Sequence, residues 1–262
     1  KVKSEIPIKA GTSSSSSIMV SWINFLGQNA DNPKTLDTES IAELAYKAEV
    51  IEFDSPGGMM DQYSTSVGNL IYLESEPQIK VERIDRALGA FVLGDSLEQK
   101  DTIGILSRCR DSRLSIMNEM KKFDPDVNFQ TISSDQLGHF ELDDEKRHLM
   151  IGTIKNRDLL LQAKVELKKQ NLDQKVFGRL LHDHHKVLRE CLKVSTPKIE
   201  DMLKSAMDAG AFGGKINGSG GGGCMFAYCP EDPERVKLAI ENVGGSARIV
   251  YAAAGTRVVS KG

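Results

Sequence analysis

Residues 10–20 read Ala-Gly-Thr-Ser-Ser-Ser-Ser-Ser-Ile-Met-Val, and they constrain this 262-residue chain more than any other stretch. They follow a run, residues 2–8, that reads as a strand. They lead into Ile18, Val20, Trp22, Ile23 and Leu26, whose spacing predicts a helix to about Leu26. Strand, small-residue loop and helix is a recurrent way to hold phosphate. Gly11 lets backbone approach a ligand closely. The first amides of the helix lack internal partners, and the helix dipole makes that end attractive to an anion. Serine hydroxyls add hydrogen bonds to phosphate oxygens, or ligate magnesium. A flexible serine linker is the plainer alternative. The core-like helix that continues directly from the serines argues against it.

The chain is long enough for one large domain or two modest ones. With 40% hydrophobic and 27% charged residues it has the make-up of a soluble globular protein. A net charge of −3 gives no sign of a nucleic-acid or membrane-surface partner, and no apolar run approaches a membrane span. No secretory signal is visible. Cys109, Cys191, Cys224 and Cys229 lack C-x-x-C spacing and read as reduced thiols of a cytoplasmic protein. Oligomeric state is not legible.

Beyond the serine stretch, residues 27–34 read as a loop. A second helix follows Thr38 as its N-cap, with Ile41, Leu44, Ala45 and Ala48 at helical spacing. Asp54-Ser55-Pro56-Gly57-Gly58 breaks it, and residues 59–67 read as a new helical start. Strands are predicted over 69–73, 79–84 and 90–93. Helices are predicted over 103–122, 143–169, 175–192 and 197–209. Short strands over 215–217 and 225–228 bracket a glycine run. A helix over 233–242 and strands over 247–251 and 256–259 close the chain. The order from Ala90 onward predicts an α/β layer domain of split β-α-β type. Two domains follow, 1–88 and 89–262, in an α/β protein.

Three further features carry chemistry. Five of the six residues 218–223 are glycine, with Ser219 between them. Such a run is tolerated where backbone must pass close to a ligand or to another backbone, although a hairpin tip or linker has the same composition. Asp61 follows the tight Pro56-Gly57-Gly58 turn, where an acid is well placed to orient a hydroxyl and take its proton. The plainer reading is that Asp61 caps the next helix. Glu49 is a candidate magnesium ligand or one more residue of a solvated helix face. His182 and His185 stand three apart on a helix, a spacing open to metal binding. Without a third ligand, core packing or surface exposure is the simpler account.

Together and in this order these features resemble the GHMP family of small-molecule kinases, and within it the galactokinase branch. Pro7-Ile8-Lys9-Ala10-Gly11-Thr12-Ser13-Ser14-Ser15 is similar to the family's central phosphate loop. Residues 215–224 are similar to its C-terminal glycine motif. Ala48-Glu49 and Gly58-Met59-Met60-Asp61-Gln62 resemble paired galactokinase motifs at the same spacing. His185, Leu188 and Val194-Ser195-Thr196-Pro197 also have counterparts in that branch. G-x-x-x-x-G-K-[ST] is absent, so this is not a Walker loop.

The resemblance implies an ATP-dependent sugar kinase that transfers the γ-phosphoryl of MgATP to a sugar hydroxyl, giving a sugar 1-phosphate. A related sugar such as a heptose phosphate, or a non-catalytic sugar and nucleotide sensor of the same fold, are the alternatives. The implied fold has a ribosomal-S5-like first domain and a ferredoxin-like second one. The implied partners are ATP, Mg2+ and a small sugar. Ala10, Gly11, Thr12, Ser13, Ser14 and Ser15 would hold the triphosphate. Ser15 and Glu49 would hold the metal, and Asp61 would be the catalytic acid. Gly58 and Gly218, Ser219, Gly220 and Gly221 would border the substrate. Such chemistry relies on positioning and charge neutralisation.

Some positions depart from the family pattern. Thr12 replaces a leucine, Ser16 and Ser17 replace an alanine pair, and Gly221 stands where galactokinases commonly carry an aromatic residue. The family's first motif, with an arginine and a Gly-Glu-His stretch, has no counterpart here. The expectation is that a further segment of roughly 70 to 110 residues, or another polypeptide, completes the first domain. The chain by itself is then expected to lack kinase activity.

Overall fold

The computed structural model describes residues 2–8, 11–33, 35–55, 57–99 and 102–259. The chain forms two compact units. One comprises Lys1–Gly89 together with Tyr251–Gly262, and the other is Ala90–Val250.

In the first unit, helix α1 (Ser14–Asn29) packs with α2 (Thr38–Tyr46) and α3 (Met60–Val67). Val20, Ile41 and Ala45 form its buried centre, and Met19, Ile23 and Leu36 lie against them. Beyond α3 a two-stranded antiparallel sheet, β1 (Leu70–Glu74) and β2 (Lys80–Ile84), pairs Tyr72 with Glu82. Asp37, one residue before the predicted cap, is the true N-cap of α2. Its Oδ1 accepts the Ser40 amide at 2.7 Å. A carboxylate there also meets the positive end of the helix dipole. After α2 the chain makes a π-helical turn, Lys47–Ile51, in which Glu52 N bonds Lys47 O and Ser55 N bonds Val50 O.

Two predicted strands are not formed. Residues 2–8 form no strand and join neither sheet, with Val2 and Ile8 both exposed. An extended run without a ladder partner has nothing to hold it as a strand. Residues 256–259 are likewise not a strand. The chain there crosses the end of α3, with Asn69 N bonded to Ala253 O at 2.6 Å and Thr256 N to Ser66 O at 3.0 Å. Only Ala254 makes a ladder bridge, to Gly68.

The second unit is built on a four-stranded antiparallel sheet in the order β4-β5-β3-β6. Its strands are β3 (Phe91–Asp95), β4 (Gly213–Ile216), β5 (Cys224–Tyr228) and β6 (Ser246–Val250). Helices α4 (Thr102–Lys121), α5 (Asp144–Lys168), α6 (Gln174–Glu190) and α7 (Pro197–Asp208) join β3 to β4. Helix α8 (Pro233–Asn242) joins β5 to β6. This is the split β-α-β order with added helices in its first crossover. Burial alternates along β3, while β4 and β5 are buried at most positions. Val92, Ile216, Met225, Ala227 and Ala247 turn to one face and pack on Ile199, Met202 and Leu203 of α7 and Val236 and Ile240 of α8. A second cluster joins α4 and α5 through Ile116, Met120, Met150 and Ile154. Among the described residues no helix is long and apolar enough to cross a membrane.

Candidate active site

The serine loop turns on two residues with positive φ, Gly11 at 78° and Ser13 at 55°. Thr12 does not offer its hydroxyl hydrogen outward: Oγ1 donates to Pro7 O at 2.8 Å and braces the loop. Ser13 is the N-cap of α1, and its carbonyl accepts the Ser17 amide at 2.9 Å. Ser14 and Ser15 form the first turn, Ser14 half-buried and Ser15 exposed. Ala10 lies outside the described residues.

The N-terminus of α1 differs from most others in this protein. Helices α2, α5, α6, α7 and α8 each begin with a side-chain cap from Asp37, Asp143, Asp173, Thr196 and Asp232. Ser13 before α1 and Met59 before α3 make no such bond. The leading amides of these two helices are therefore free of side-chain competitors for an anion.

Three distant parts of the sequence meet one turn into α1. Ser16 Oγ donates to Glu49 Oε2 at 2.7 Å, and Gln62 Nε2 donates to the same oxygen at 2.6 Å. Gln62 Nε2 also lies 3.3 Å from Ser16 Oγ. Ser16 and Gln62 are both 2% exposed, so this is a buried polar cluster. Glu49 sits in the π-helical turn and is half-buried, not on a solvated α-helical face. Insertions of this kind are frequent at functional sites because they redirect side chains. Both bonds fall on Oε2, and among the described residues nothing donates to Oε1.

Asp61 stands next to Gln62 in the first turn of α3. It is exposed and is not the N-cap, a position taken by Met59. Among the described residues its carboxylate has no partner. Gly58 is exposed, and a methyl group there would meet nothing within 4 Å, so chain packing does not require this glycine.

The glycine loop is supported differently. Gly218, Gly220, Gly221, Gly222 and Gly223 all have positive φ. Gly221 N donates to Val194 O at 2.7 Å, and Ser96 N to Gly223 O at 2.9 Å. A Cβ on Gly220 would lie 2.5 Å from Val194 O, and one on Gly221 would lie 2.1 Å from Ile105 Cδ1. The glycines thus permit contact with other parts of this chain. Ser219 Oγ is buried without a partner.

At the loop's entrance, burial pushes the Lys215 ammonium down to about 8, and its Nζ lies 5.7 Å from the centre of the Phe226 ring. His184 is pushed down to about 3 by burial, with the nearby Lys215 charge adding to the effect. His185 is fully buried and bonded to Glu200. Among the described residues no group of three or more His, Cys, Asp or Glu side chains is arranged to hold a metal.

Three participants had no role assigned from sequence: Ser16, Gln62 and Glu200. Ser16 and Gln62 each sit beside a residue singled out for chemistry. Polar residues at positions that face a core would have been the usable signal.

A family profile described as "GHMP kinases N terminal domain" matches residues 1–69, and one described as "GHMP kinases C terminal" matches residues 163–245. A mevalonate kinase of Thermococcus gammatolerans is 25% identical over 254 residues, which cover 95% of this chain and 64% of that protein. The chain therefore spans a little under two thirds of that relative's length. A galactokinase of Homo sapiens is 26% identical over 273 residues, covering 98% of this chain and 67% of that protein. Among solved structures, Lactococcus lactis galactokinase complexed with galactose superposes with a TM-score of 0.76 at 18% identity, covering 97% of this chain and 68% of the other. At that identity the likeness concerns the fold.

Proposed function

Since this chain belongs to the GHMP kinase family, with two profiles that together match more than half of it, we propose that it takes part in phosphoryl transfer from MgATP to the hydroxyl of a small sugar. The observation that carries this reading is the Ser16–Glu49–Gln62 cluster, which ties the phosphate-loop helix, the acidic turn and the Asp61 helix to one spot.

The residues suit the nucleotide and its metal. Uncapped amides at the start of α1 and the hydroxyls of Ser13, Ser14 and Ser15 offer donors to phosphate oxygens. Glu49 Oε1 and the Ser15 hydroxyl are hard oxygen ligands of the kind magnesium takes. MgATP, when bound, supplies the phosphoryl group and the divalent charge that neutralises it. Gln62 and Ser16 fix the Glu49 carboxylate by binding its other oxygen. Gly11 and Thr12 set the loop's course, and with Ala10 they are assigned to the triphosphate by their position in the motif. Asp61 orients the acceptor hydroxyl and takes its proton as the oxygen bonds to the γ-phosphorus and the bond to the ADP oxygen breaks. Gly58 and Gly218, Ser219, Gly220 and Gly221 are assigned to the substrate side. In this reading residues 1–88 carry the phosphate and acid machinery, and 89–262 carry the glycine loop.

A sugar acceptor is favoured by the Gly58-Met59-Met60-Asp61-Gln62 resemblance to galactokinases. The mevalonate kinase relatives favour a second reading, in which the acceptor is the hydroxyl of a small hydroxy acid. Measuring ADP release by the full-length protein against galactose, other free sugars, a heptose phosphate and mevalonate separates the two. Release with mevalonate and with no sugar would overturn the first reading. Nucleotide binding by the full-length protein without turnover on any acceptor would point to a sensor.

A further inference from the structure

We propose that buried His185 and half-buried Glu200 form a positioning device that grips both flanks of the glycine loop. His185 is completely buried on α6. Its Nδ1 faces the Ile216 amide at 3.3 Å, and its Nε2 faces Glu200 Oε1 at 2.8 Å. An amide can only donate, so Nδ1 accepts and the proton sits on Nε2, which donates to the carboxylate. Ile216 ends β4 and leads through Asn217 into Gly218, so one side of the ring holds the loop's entrance.

Glu200 holds the other flank. Its Oε1 also accepts Ser195 Oγ at 2.5 Å, and its Oε2 accepts Arg189 Nη1 at 2.9 Å. Ser195 follows Val194, whose carbonyl accepts the Gly221 amide and against which Gly220 is packed. Val194 N is in turn bonded to Leu188 O. A single carboxylate therefore links α6, the start of α7 and the segment on which Gly220 and Gly221 rest. The loop's own side chains provide none of this, since five of its six residues are glycine.

The groups around His185 define how the device responds to acid. Glu200 faces it from α7, and His182, His184 and Arg189 lie on its own helix, with Lys215 of β4 beyond His184. Burial pushes His185 below its ordinary value, against the pull of Glu200. Burial would raise Glu200, but bonds from Ser195, Arg189 and His185 hold it below the usual carboxylate range. A histidine with a depressed folded value contributes stability above its unfolded pKa and loses it as pH falls through the folded one. Protonation at Nδ1 also ends its role as acceptor for Ile216.

The role in turnover rests on the kinase reading, but the grip on the loop does not. The test is hydrogen exchange on the full chain, comparing amides 214–223 with those of α5 as an internal reference. In Glu200→Ala, loop exchange should rise about tenfold more than that of α5, and Glu200→Gln, which keeps an acceptor for Ser195 and His185, should recover most of the protection. Ser195→Ala removes one arm only and should give a smaller rise of the same kind, should Glu200→Ala not fold. In the unaltered protein, lowering pH from about 7.5 to about 5, after correction for intrinsic rates, should raise loop exchange selectively. Loop and α5 rising together in every variant, or a loop indifferent to both Ser195→Ala and acid, would reduce the pair to a general stabiliser and overturn the proposal. Absence of ADP release by the full-length protein with every acceptor would remove the kinase reading and leave these exchange results standing.

Discussion

The serine loop and the glycine loop are both made of small residues, yet they are held by opposite means. The serine loop has two positive-φ residues, and hydrogen bonds from side chains brace it. The glycine loop has five, and its supports are a carbonyl, Ile105 and backbone amides of neighbouring segments. Small size therefore serves hydrogen-bonding chemistry in one loop and backbone conformation in the other. Side-chain deletions should be felt most in the first, and side-chain additions most in the second.

The largest expected effect tests whether the chemistry lies on the serine side. In the full-length protein with the competent acceptor, Asp61→Ala should lower turnover by about 10²–10⁴-fold and leave nucleotide affinity nearly unchanged. A variant with near-normal turnover would break the assignment. Next comes the glycine side. Gly220→Ala forces a Cβ against Val194 at a φ of +90°. It should cost the second unit about 2–4 kcal/mol in urea unfolding. A near-neutral result would mean that the loop is not bound to its support. The contrast sharpens with Gln62→Ala, which removes one of the two donors to Glu49 Oε2. About 1–3 kcal/mol of stability should be lost, with weaker magnesium dependence of nucleotide binding. The smallest effect belongs to Ser13→Gly. It relieves a left-handed serine but frees the unfolded chain, so melting should shift by less than about 1 kcal/mol equivalent.

Much of the fold was legible because its signals are local. The helix Pro233–Asn242 was read with both ends correct, since Asp232 and Pro233 mark its start and Val236 and Ile240 its buried stripe. The strands β1, β2 and β3 were equally local. The site was legible as separate motifs but not as an assembly. Ser16, Glu49 and Gln62 come from three segments, and the π-helical turn that presents Glu49 has no composition of its own. The grip of Glu200 on Ser195 and His185 was hidden for the same reason. Residues 2–8 were misread because a strand belongs to a pair, and alternation in one segment says nothing about its neighbour.

The return of residues 253–256 to the end of α3 sets a sequence of events in the making of the protein. The whole of Ala90–Val250 lies between the two parts of the first unit. All four strands of the second unit's sheet leave the ribosome before Ala253 and Thr256 do. The second unit can thus finish folding while the first still lacks the bonds from Asn69 N to Ala253 O and from Thr256 N to Ser66 O. Closing so long a loop adds little entropy when the intervening chain is already folded and its ends are held near one another. Damage to the inserted unit would then appear first as a failure to seal the unit synthesised before it.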